Sequence, residues 1–113
     1  MSCIFCDIVS GKIKADIVYQ DEHVVCFSDL KPQAPVHLLI VPRRHVETVQ
    51  DADRESAAEL GRLLAAVPEI ARMKKIDGSG YRLVINAKKD AGQEVMHVHV
   101  HLLGGRKFGW PPG

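Results

Sequence analysis

A chain of 113 residues with 46% hydrophobic and 26% charged residues has the composition of an ordinary globular protein. We expect one domain over residues 1–113, because this length supports one hydrophobic core but not two. The formal net charge of +1 offers no electrostatic basis for binding nucleic acid, which is therefore not an expected partner. No apolar stretch approaches the roughly 20 residues of a membrane span. Asp7 interrupts the apolar start before it could act as a signal peptide, so we expect a cytoplasmic protein with no membrane partner.

The N-terminal part of the chain predicts a short helix followed by a hairpin. Residues 4–10 can form one or two helical turns that end at Gly11. The β-rich runs 17–20 and 23–28 lie on either side of a polar pair, which is the pattern of a hairpin. Cys26, in the second run, is expected to be a buried core thiol.

A central strand and one long helix are predicted next. Two prolines within residues 31–35 indicate a loop, and the apolar run 37–41 before Pro42 is typical of a strand in the middle of a sheet. Between residues 53 and 75, apolar side chains recur at three- and four-residue steps, which indicates an amphipathic helix. Pro68 lies inside that run, so we predict a kink or a break there.

The remaining elements complete an α+β pattern. Residues 81–86 predict a further strand, and residues 87–94 predict a polar loop that leads into the last strand. The expected fold is an antiparallel sheet with one long helix and a short N-terminal helix. One face of this sheet is expected to carry the long helix, and the other face is expected to carry histidines.

Near the C-terminus, imidazoles alternate with aliphatic side chains at a period of two residues, which is a strand period. In an extended segment His97, His99 and His101 share one face, about 6.5–7 Å apart, while the aliphatic residues between them enter the core. Such a row has three interpretations. It can be a hydrated polar face, a metal site, or a site of nucleophilic catalysis by a neutral imidazole.

The run His-Val-His-Val-His-Leu-Leu, followed by Gly-Gly-Arg, resembles the motif of the histidine-triad (HIT) family. Outside this run, the chain is similar to the nucleotide-binding phosphoramidase branch of that family in blocks that extend nearly from end to end. These blocks are Phe5, residues 27–30, residues 32–37, Asn86, residues 92–93 and residues 110–113. The fold expected for the family is the α+β fold described above.

The resemblance implies a hydrolase that acts on a purine nucleoside phosphoramidate, with adenosine expected as the nucleoside, and releases AMP. His99, the central histidine, would attack the α-phosphorus and form a covalent nucleotidyl-imidazole, which water would then cleave. A neutral imidazole can do this without a separate base or a metal cofactor. The resemblance further implies that His101 donates toward the phosphate or the bridging atom, that His97 orients His99, and that His37 lies beside His97 in a relay.

A purine nucleotide similar to AMP is the expected ligand. Its base would lie in an apolar slot formed by Phe5, Ile8, Phe27 and Leu30. Its phosphate would be contacted by Asn86 and by the segment Gly92, Gln93 and Glu94, where backbone N–H groups can approach closely. Asp29 can accept hydrogen bonds from both ribose hydroxyls, although it can equally cap the turn before Pro32. Any of the four apolar residues, taken alone, can also be ordinary core.

Glu94 departs from the pattern of the branch as it is best known from animals, where a serine occupies this position. The serine hydroxyl serves the phosphate or the leaving group there. A carboxylate would repel an anionic substrate unless it turned away. We therefore expect Glu94 to contribute its backbone.

Cys3 and Cys6 have the spacing of a zinc-binding pair, but they supply only half of a tetrahedral shell. The resemblance to bacterial histidine-triad proteins and to hexose-phosphate uridylyltransferases implies that His45 and His97 would be the other two ligands of a structural zinc ion. The alternative is a pair of plain reduced thiols. If zinc binds, His97 cannot also act as a proton relay.

Two other functions remain open at this point. A sister branch of the family hydrolyses dinucleoside polyphosphates, and a nucleotide-binding or interaction module without catalysis is a third interpretation. The resemblance also implies a homodimer, although no interface is visible in the sequence. Trp110, near the C-terminus, can either anchor the tail across a dimer or fill a gap in the core.

Overall fold

The computed structural model describes residues 3–113, in which five strands and three α-helices are present. The strands are β1 (Ile17–Gln20), β2 (Val24–Ser28), β3 (Val36–Pro42), β4 (Tyr81–Val84) and β5 (Val100–Gly104). The helices are α1 (Ile4–Val9), α2 (Ala57–Met73) and α3 (Lys88–Ala91). None of these helices has the length and apolar character that crossing a bilayer requires.

The strands form one antiparallel sheet in the order β1-β2-β3-β5-β4. The hairpin is confirmed, and β3 lies at the centre of the sheet, as its continuous apolar run predicted. Its partner β5 brings His101 opposite Leu39. The α+β fold with one long helix and a short N-terminal helix is therefore confirmed.

Alternation along the strands divides the core between the two faces of the sheet. On one face, α2 packs against a layer that includes Leu38, Ile40, Val100 and Leu102. The opposite face carries a smaller cluster in which α1 packs against β2 and β3. Its members are Phe5, Ile8, Val25, Phe27, Leu39 and Val41. Since His37 and His101 alternate with residues of the α2 face, they lie on the same face as α1.

The long helix differs from its prediction at Pro68. The helix continues without interruption through this residue, so a break there is wrong, and the alternative of a kink stays a prediction. Pro68 is exposed, where the carbonyl that loses its helical partner can bind water instead. The neighbouring Val67 and Ile70 are buried against the sheet and hold the helix on both sides of the proline.

The segment before the last strand also differs from its prediction. The polar loop contains the short helix α3, whose first residue Lys88 has a φ of 67° and donates its N–H to the side chain of Gln93. The final strand begins only at Val100, so His97 and His99 precede it. The backbone leaves the ladder because the N–H of Val98 donates to the carbonyl of Val46 at 2.6 Å.

Candidate active site

A cavity of about 390 Å³ opens on the face of the sheet that carries α1. Its volume lies within the range of small-molecule sites. His99 and His101 line it. The predicted nucleotide contacts that also line it are Phe5, Ile8, Phe27, Asp29, Leu30, Asn86, Gly92 and Glu94. His37, His97 and Gln93 lie outside the lining and act on it through other residues, as described below.

The apolar wall of the cavity is built around Phe5. Its ring contacts the rings of Phe27 and His99 edge to face, with centroids 5.3 and 5.1 Å apart. Both phenylalanines are buried, whereas Leu30 is 96% exposed and lies at the rim. Phe5 therefore connects the base-sized slot to the catalytic candidate His99.

Sequence reasoning missed part of the lining. The segment Ile13–Asp16 after α1, together with Lys31 and Val95, contributes apolar and charged side chains to the cavity. These residues lie in loops without a periodic pattern. No signal in the sequence assigns them to the site, because only the tertiary fold brings the residues after α1 beside β2.

His99 is held in one tautomer by its own chain. Its Nδ1 lies 2.8 Å from the carbonyl oxygen of His97, which can only accept, so Nδ1 carries the proton. The Nε2 atom of the neutral ring then keeps its lone pair. With the ring 7% exposed and lining the cavity, this nitrogen is a potential nucleophile.

His37 forms its hydrogen bond with His101, so the predicted relay between His37 and His97 is wrong, because the His97 ring contacts the cysteine cluster and Pro42 instead. The bonds of His37 and His101 have a defined direction. The backbone N–H of Gln33 donates to Nδ1 of His37 at 3.0 Å, so the proton of the neutral His37 ring is on Nε2. This Nε2–H donates to Nδ1 of His101 at 2.9 Å. His101 consequently carries its proton on Nε2 and presents a donor to the cavity that it lines.

Both carboxylate oxygens of Asp29 contact other residues of the chain. Its Oδ1 accepts the N–H of Lys31 at 2.7 Å, which is the turn-capping contact that the sequence left open. Its Oδ2 lies 3.4 Å from Nε2 of His37. Since Asp29 also lines the cavity, turn capping does not prevent its second oxygen from accepting a ligand hydroxyl.

Gln93 holds the loop between α3 and β5 in shape. Its side-chain amide donates to the carbonyls of Glu47 and Val95, and its side-chain oxygen accepts from Lys88. Gly92 ends α3 with a φ of 81°, a conformation that favours glycine. Thus Gln93 orders the segment while its neighbours line the cavity.

A cluster of four potential metal ligands lies directly behind His99. His97 is fully buried, and its Nε2–H donates to the carbonyl of Pro42 at 2.8 Å, which leaves the lone pair on Nδ1. That Nδ1 is 3.5 Å from each of the sulfur atoms of Cys3 and Cys6 and 3.2 Å from Nδ1 of His45. The Cys6 sulfur is 3.3 Å from the same His45 nitrogen.

These separations match the edges of a zinc tetrahedron. With Zn–S bonds of about 2.3 Å and Zn–N bonds of about 2.0 Å, a sulfur and a nitrogen are about 3.5 Å apart and two nitrogens about 3.3 Å apart. All four ligand atoms lie within 4.8 Å of one another. The residues therefore fit a metal ion such as zinc, and Cys3, Cys6, His45 and His97 are the set that could hold it.

His97 cannot face both sites with its ring. Nδ1 is directed to the cysteine cluster and Nε2 to Pro42, so only its backbone carbonyl contacts His99. His97 is thus placed to orient His99 through the main chain. The interpretation of the triad as a hydrated polar face is wrong, because the residues His97 and His99 are 0% and 7% exposed.

Comparison with known proteins agrees with this geometry. The HIT domain family matches residues 10–108. The chain belongs to the HIT family. Within it, the purine nucleoside phosphoramidase of Escherichia coli K12 is 46% identical over 94% of this chain and 89% of that protein.

Solved structures of HIT proteins superpose closely on this chain. A HIT family hydrolase from Legionella pneumophila has a TM-score of 0.96 at 43% identity and covers 99% of this chain and 100% of its own. A histidine triad protein from Clostridium difficile has a TM-score of 0.93 at 38% identity and covers 96% of this chain and 95% of its own. The family resemblance expected from the sequence is confirmed.

Two imidazoles of this HIT site, those of His37 and His101, have lowered pKa values. Burial, together with the nearby rings of His99 and His37, lowers the pKa of His101 to about 4. Burial also lowers the pKa of His37, although Asp29 partly opposes this shift. At pH 7, His101 is therefore a neutral hydrogen-bond donor.

This shift makes the stability of the fold depend on pH. The unfolded chain takes up a proton on His101 near pH 6.5, whereas the folded chain does so near pH 4. The contribution of His101 to the free energy of unfolding is therefore fully present above pH 6.5 and is lost as the pH falls from 6.5 to 4.

Urea titrations at several pH values should show a smaller loss of stability in His101→Asn over this window. Equal pH slopes in wild type and His101→Asn would contradict the assignment.

Proposed function

We propose that this HIT protein hydrolyses purine nucleoside phosphoramidates, with adenosine as the nucleoside, and releases AMP. The observation that carries the proposal is the fixed tautomer of His99, whose unprotonated Nε2 belongs to a ring that lines a cavity of nucleotide size. The activity named for the Escherichia coli relative supports the substrate class.

The reaction proceeds in two displacements. The lone pair of His99 Nε2 attacks the α-phosphorus, the P–N bond breaks, and the leaving nitrogen takes up a proton from solvent and departs as an amine. Water then attacks the same phosphorus and the bond to Nε2 breaks. The electron pair of that bond returns to His99, the water proton passes to solvent, and AMP is released.

His101 stabilises charge in both steps. Its Nε2–H is a fixed donor for the phosphate oxygens or the leaving nitrogen, and its tautomer is set by His37. Because the pKa of His101 is about 4, its ring has no positive charge at neutral pH and acts as a hydrogen-bond donor. A donor held in place before the reaction needs no reorganisation as charge develops.

The nucleoside is recognised by the two walls of the cavity. The base lies against Phe5 and Phe27, with Ile8 beside them and Leu30 at the rim. The ribose hydroxyls donate to Oδ2 of Asp29, the oxygen that does not accept the N–H of Lys31. The phosphate lies near Asn86, Gly92 and Glu94, which line the cavity, whereas the N–H groups of Gly92 and Gln93 donate to the carbonyls of Lys89 and Lys88.

Replacing the nucleophile tests the mechanism. In His99→Ala, hydrolysis of an adenosine phosphoramidate should fall by at least about 10³-fold, because the nitrogen that forms the proposed covalent intermediate is removed. AMP binding should persist, since the apolar slot and Asp29 remain. Mass spectrometry of rapidly quenched wild-type protein should show an AMP adduct on His99.

His23→Ala provides the matched control, because this histidine lies on the hairpin away from the cavity. It should keep wild-type turnover. Undiminished hydrolysis in His99→Ala would refute the mechanism. AMP binding by the wild type without release of product from any phosphoramidate would instead favour a binding module without catalysis.

The cysteine and histidine cluster is proposed to hold one structural zinc ion. The four ligands would be Cys3 and Cys6 at α1, His45 after β3, and His97 before β5. A zinc ion there would crosslink these segments, and it would take no part in the hydrolysis. Cys26 takes no part, because it is fully buried and burial raises the pKa of its thiol to about 12.

Metal analysis of the purified protein tests this site. Elemental analysis should find close to one zinc per chain in the wild type and a large loss in Cys6→Ser, which removes one ligand. Cys26→Ala should keep the wild-type zinc content. A wild-type protein that neither contains zinc nor takes it up from a zinc salt would disprove the site.

A homodimer is proposed through the β4 edge of the sheet. Helix α2 packs against β2 and β3, and on the same face Tyr81 and Leu83 of β4 are 37% and 38% exposed. Ile85, directly after β4, is 40% exposed. A second copy would cover this apolar strip and pair with the open edge of β4. Trp110 is 83% exposed, so it fills no gap in the core of its own chain, and the neighbouring Gly109 is tied to β4 by Arg82.

Substituting each edge of the sheet in turn tests this arrangement. Leu83→Lys should shift the molecular mass measured by light scattering from two chains toward one, because it places a charge in the proposed interface. Ile17→Lys, on the opposite edge strand, should leave the dimer intact, since a bulge already disrupts the pairing of β1. A wild-type mass of one chain would disprove the dimer.

A further inference from the structure

A single residue, Phe5, lies between the metal cluster and the nucleotide cavity. Helix α1 carries Phe5 between Cys3 and Cys6, so a side chain that lines the cavity lies between two metal-ligand candidates. The ring of Phe5 contacts His99 at 5.1 Å and the ligand candidate His97 at 5.9 Å. Displacement of α1 would therefore alter both sites.

A second connection runs through the main chain. The ring of His97 belongs to the cluster, and its carbonyl oxygen accepts the hydrogen bond that holds the tautomer of His99. Anchoring the His97 ring fixes the carbonyl, and the carbonyl fixes His99. The two connections reach the same imidazole from different sides.

Helix α1 depends on its surroundings for order. It has six residues, which is far too short for a helix to be stable by itself. In the folded chain the helix is held by the packing of Phe5 and Ile8, and a metal ion bound by Cys3 and Cys6 would hold it further. A ligand in the cavity that packs on Phe5 would order the same helix from its other side.

We propose that the cluster Cys3, Cys6, His45 and His97 is a positioning site for the nucleotide pocket, so that metal binding and nucleotide binding strengthen each other. Binding of either the metal ion or the nucleotide orders α1 and the His97 carbonyl, which costs conformational entropy. The other one then binds a site that is already ordered. Thermodynamic linkage requires the two effects to be equal. The inference rests on the proposed function only for the choice of AMP as the ligand.

Calorimetry on the full chain tests the linkage. AMP is titrated into zinc-loaded protein and into protein stripped with a chelator, whose fold is checked by circular dichroism. We expect Kd for AMP to rise about tenfold on stripping, within the usual range of such couplings. Competition with a chromophoric chelator should show Kd for zinc falling by the same factor in saturating AMP. Equal AMP affinities with and without zinc would overturn the proposal.

A spectroscopic measurement separates positioning from simple stabilisation. Long-range ¹⁵N NMR of the imidazoles should show His99 as a single Nδ1–H tautomer in the loaded protein and as a mixture of tautomers after stripping. A tautomer that is unchanged by stripping would contradict the proposed route through His97.

A ligand variant keeps the test decisive if the stripped protein unfolds. His45 is exposed and does not line the cavity, so replacing it removes no nucleotide contact. In zinc-containing buffer His45→Ala should bind AMP about tenfold more weakly, and His45→Cys, which restores four ligands, should recover wild-type affinity. Wild-type affinity in His45→Ala would overturn the linkage. Absence of both AMP binding and the His99 adduct in loaded wild type would instead refute the proposed function.

Discussion

A single hydrogen bond, from Nδ1 of His99 to the carbonyl oxygen of His97, determines which nitrogen of the central histidine is reactive. An imidazole that is free to exchange tautomers offers its lone pair on either side of the ring. A carbonyl can only accept, so this contact leaves the lone pair on Nε2. The short bend before β5 is what brings the carbonyl within reach, and the proposed chemistry depends on that local geometry.

The two faces of the sheet have different roles, one in the stability of the fold and the other in the candidate site. Its α2 face is a continuous aliphatic layer that includes fully buried Ile40, Ile70 and Leu102. Its other face carries the six-residue helix α1 and loop segments such as residues 13–16, and the cavity and the metal cluster lie among them. A rigid layer on one side thus positions a more sparsely covered site on the other, where ligands can complete the packing.

The charge state of the site follows from burial. Imidazoles that are shielded from water hold their protons weakly, and adjacent rings would repel one another if both were charged. The site therefore uses neutral rings with defined donors and acceptors, in a chain that begins at the backbone N–H of Gln33 and ends at Nε2–H of His101. Preorganised dipoles of this kind serve a phosphate transition state without the cost of keeping cations buried.

The order of elements, the central place of β3 and the position of the histidines on the face opposite α2 could all be predicted from the sequence, because each follows from the period of the apolar residues. The spacing of Cys3 and Cys6 likewise indicated a metal pair. Other features depend on contacts between residues far apart in the chain. They include the uninterrupted helix at Pro68, the helix α3, and the lining contributed by residues 13–16.

Within the strands and helices, the sequence by itself determined which residues face the site, since side-chain direction is a local property of a strand or a helix. Only the tertiary structure decided what each ring does. His97, His99 and His101 are equivalent in the alternating pattern, yet one faces a cysteine pair, one keeps a free nitrogen at the cavity, and one completes a chain from His37. A hydrogen bond is set by the distance and direction between its partners, and these depend on segments that meet only when the chain has folded.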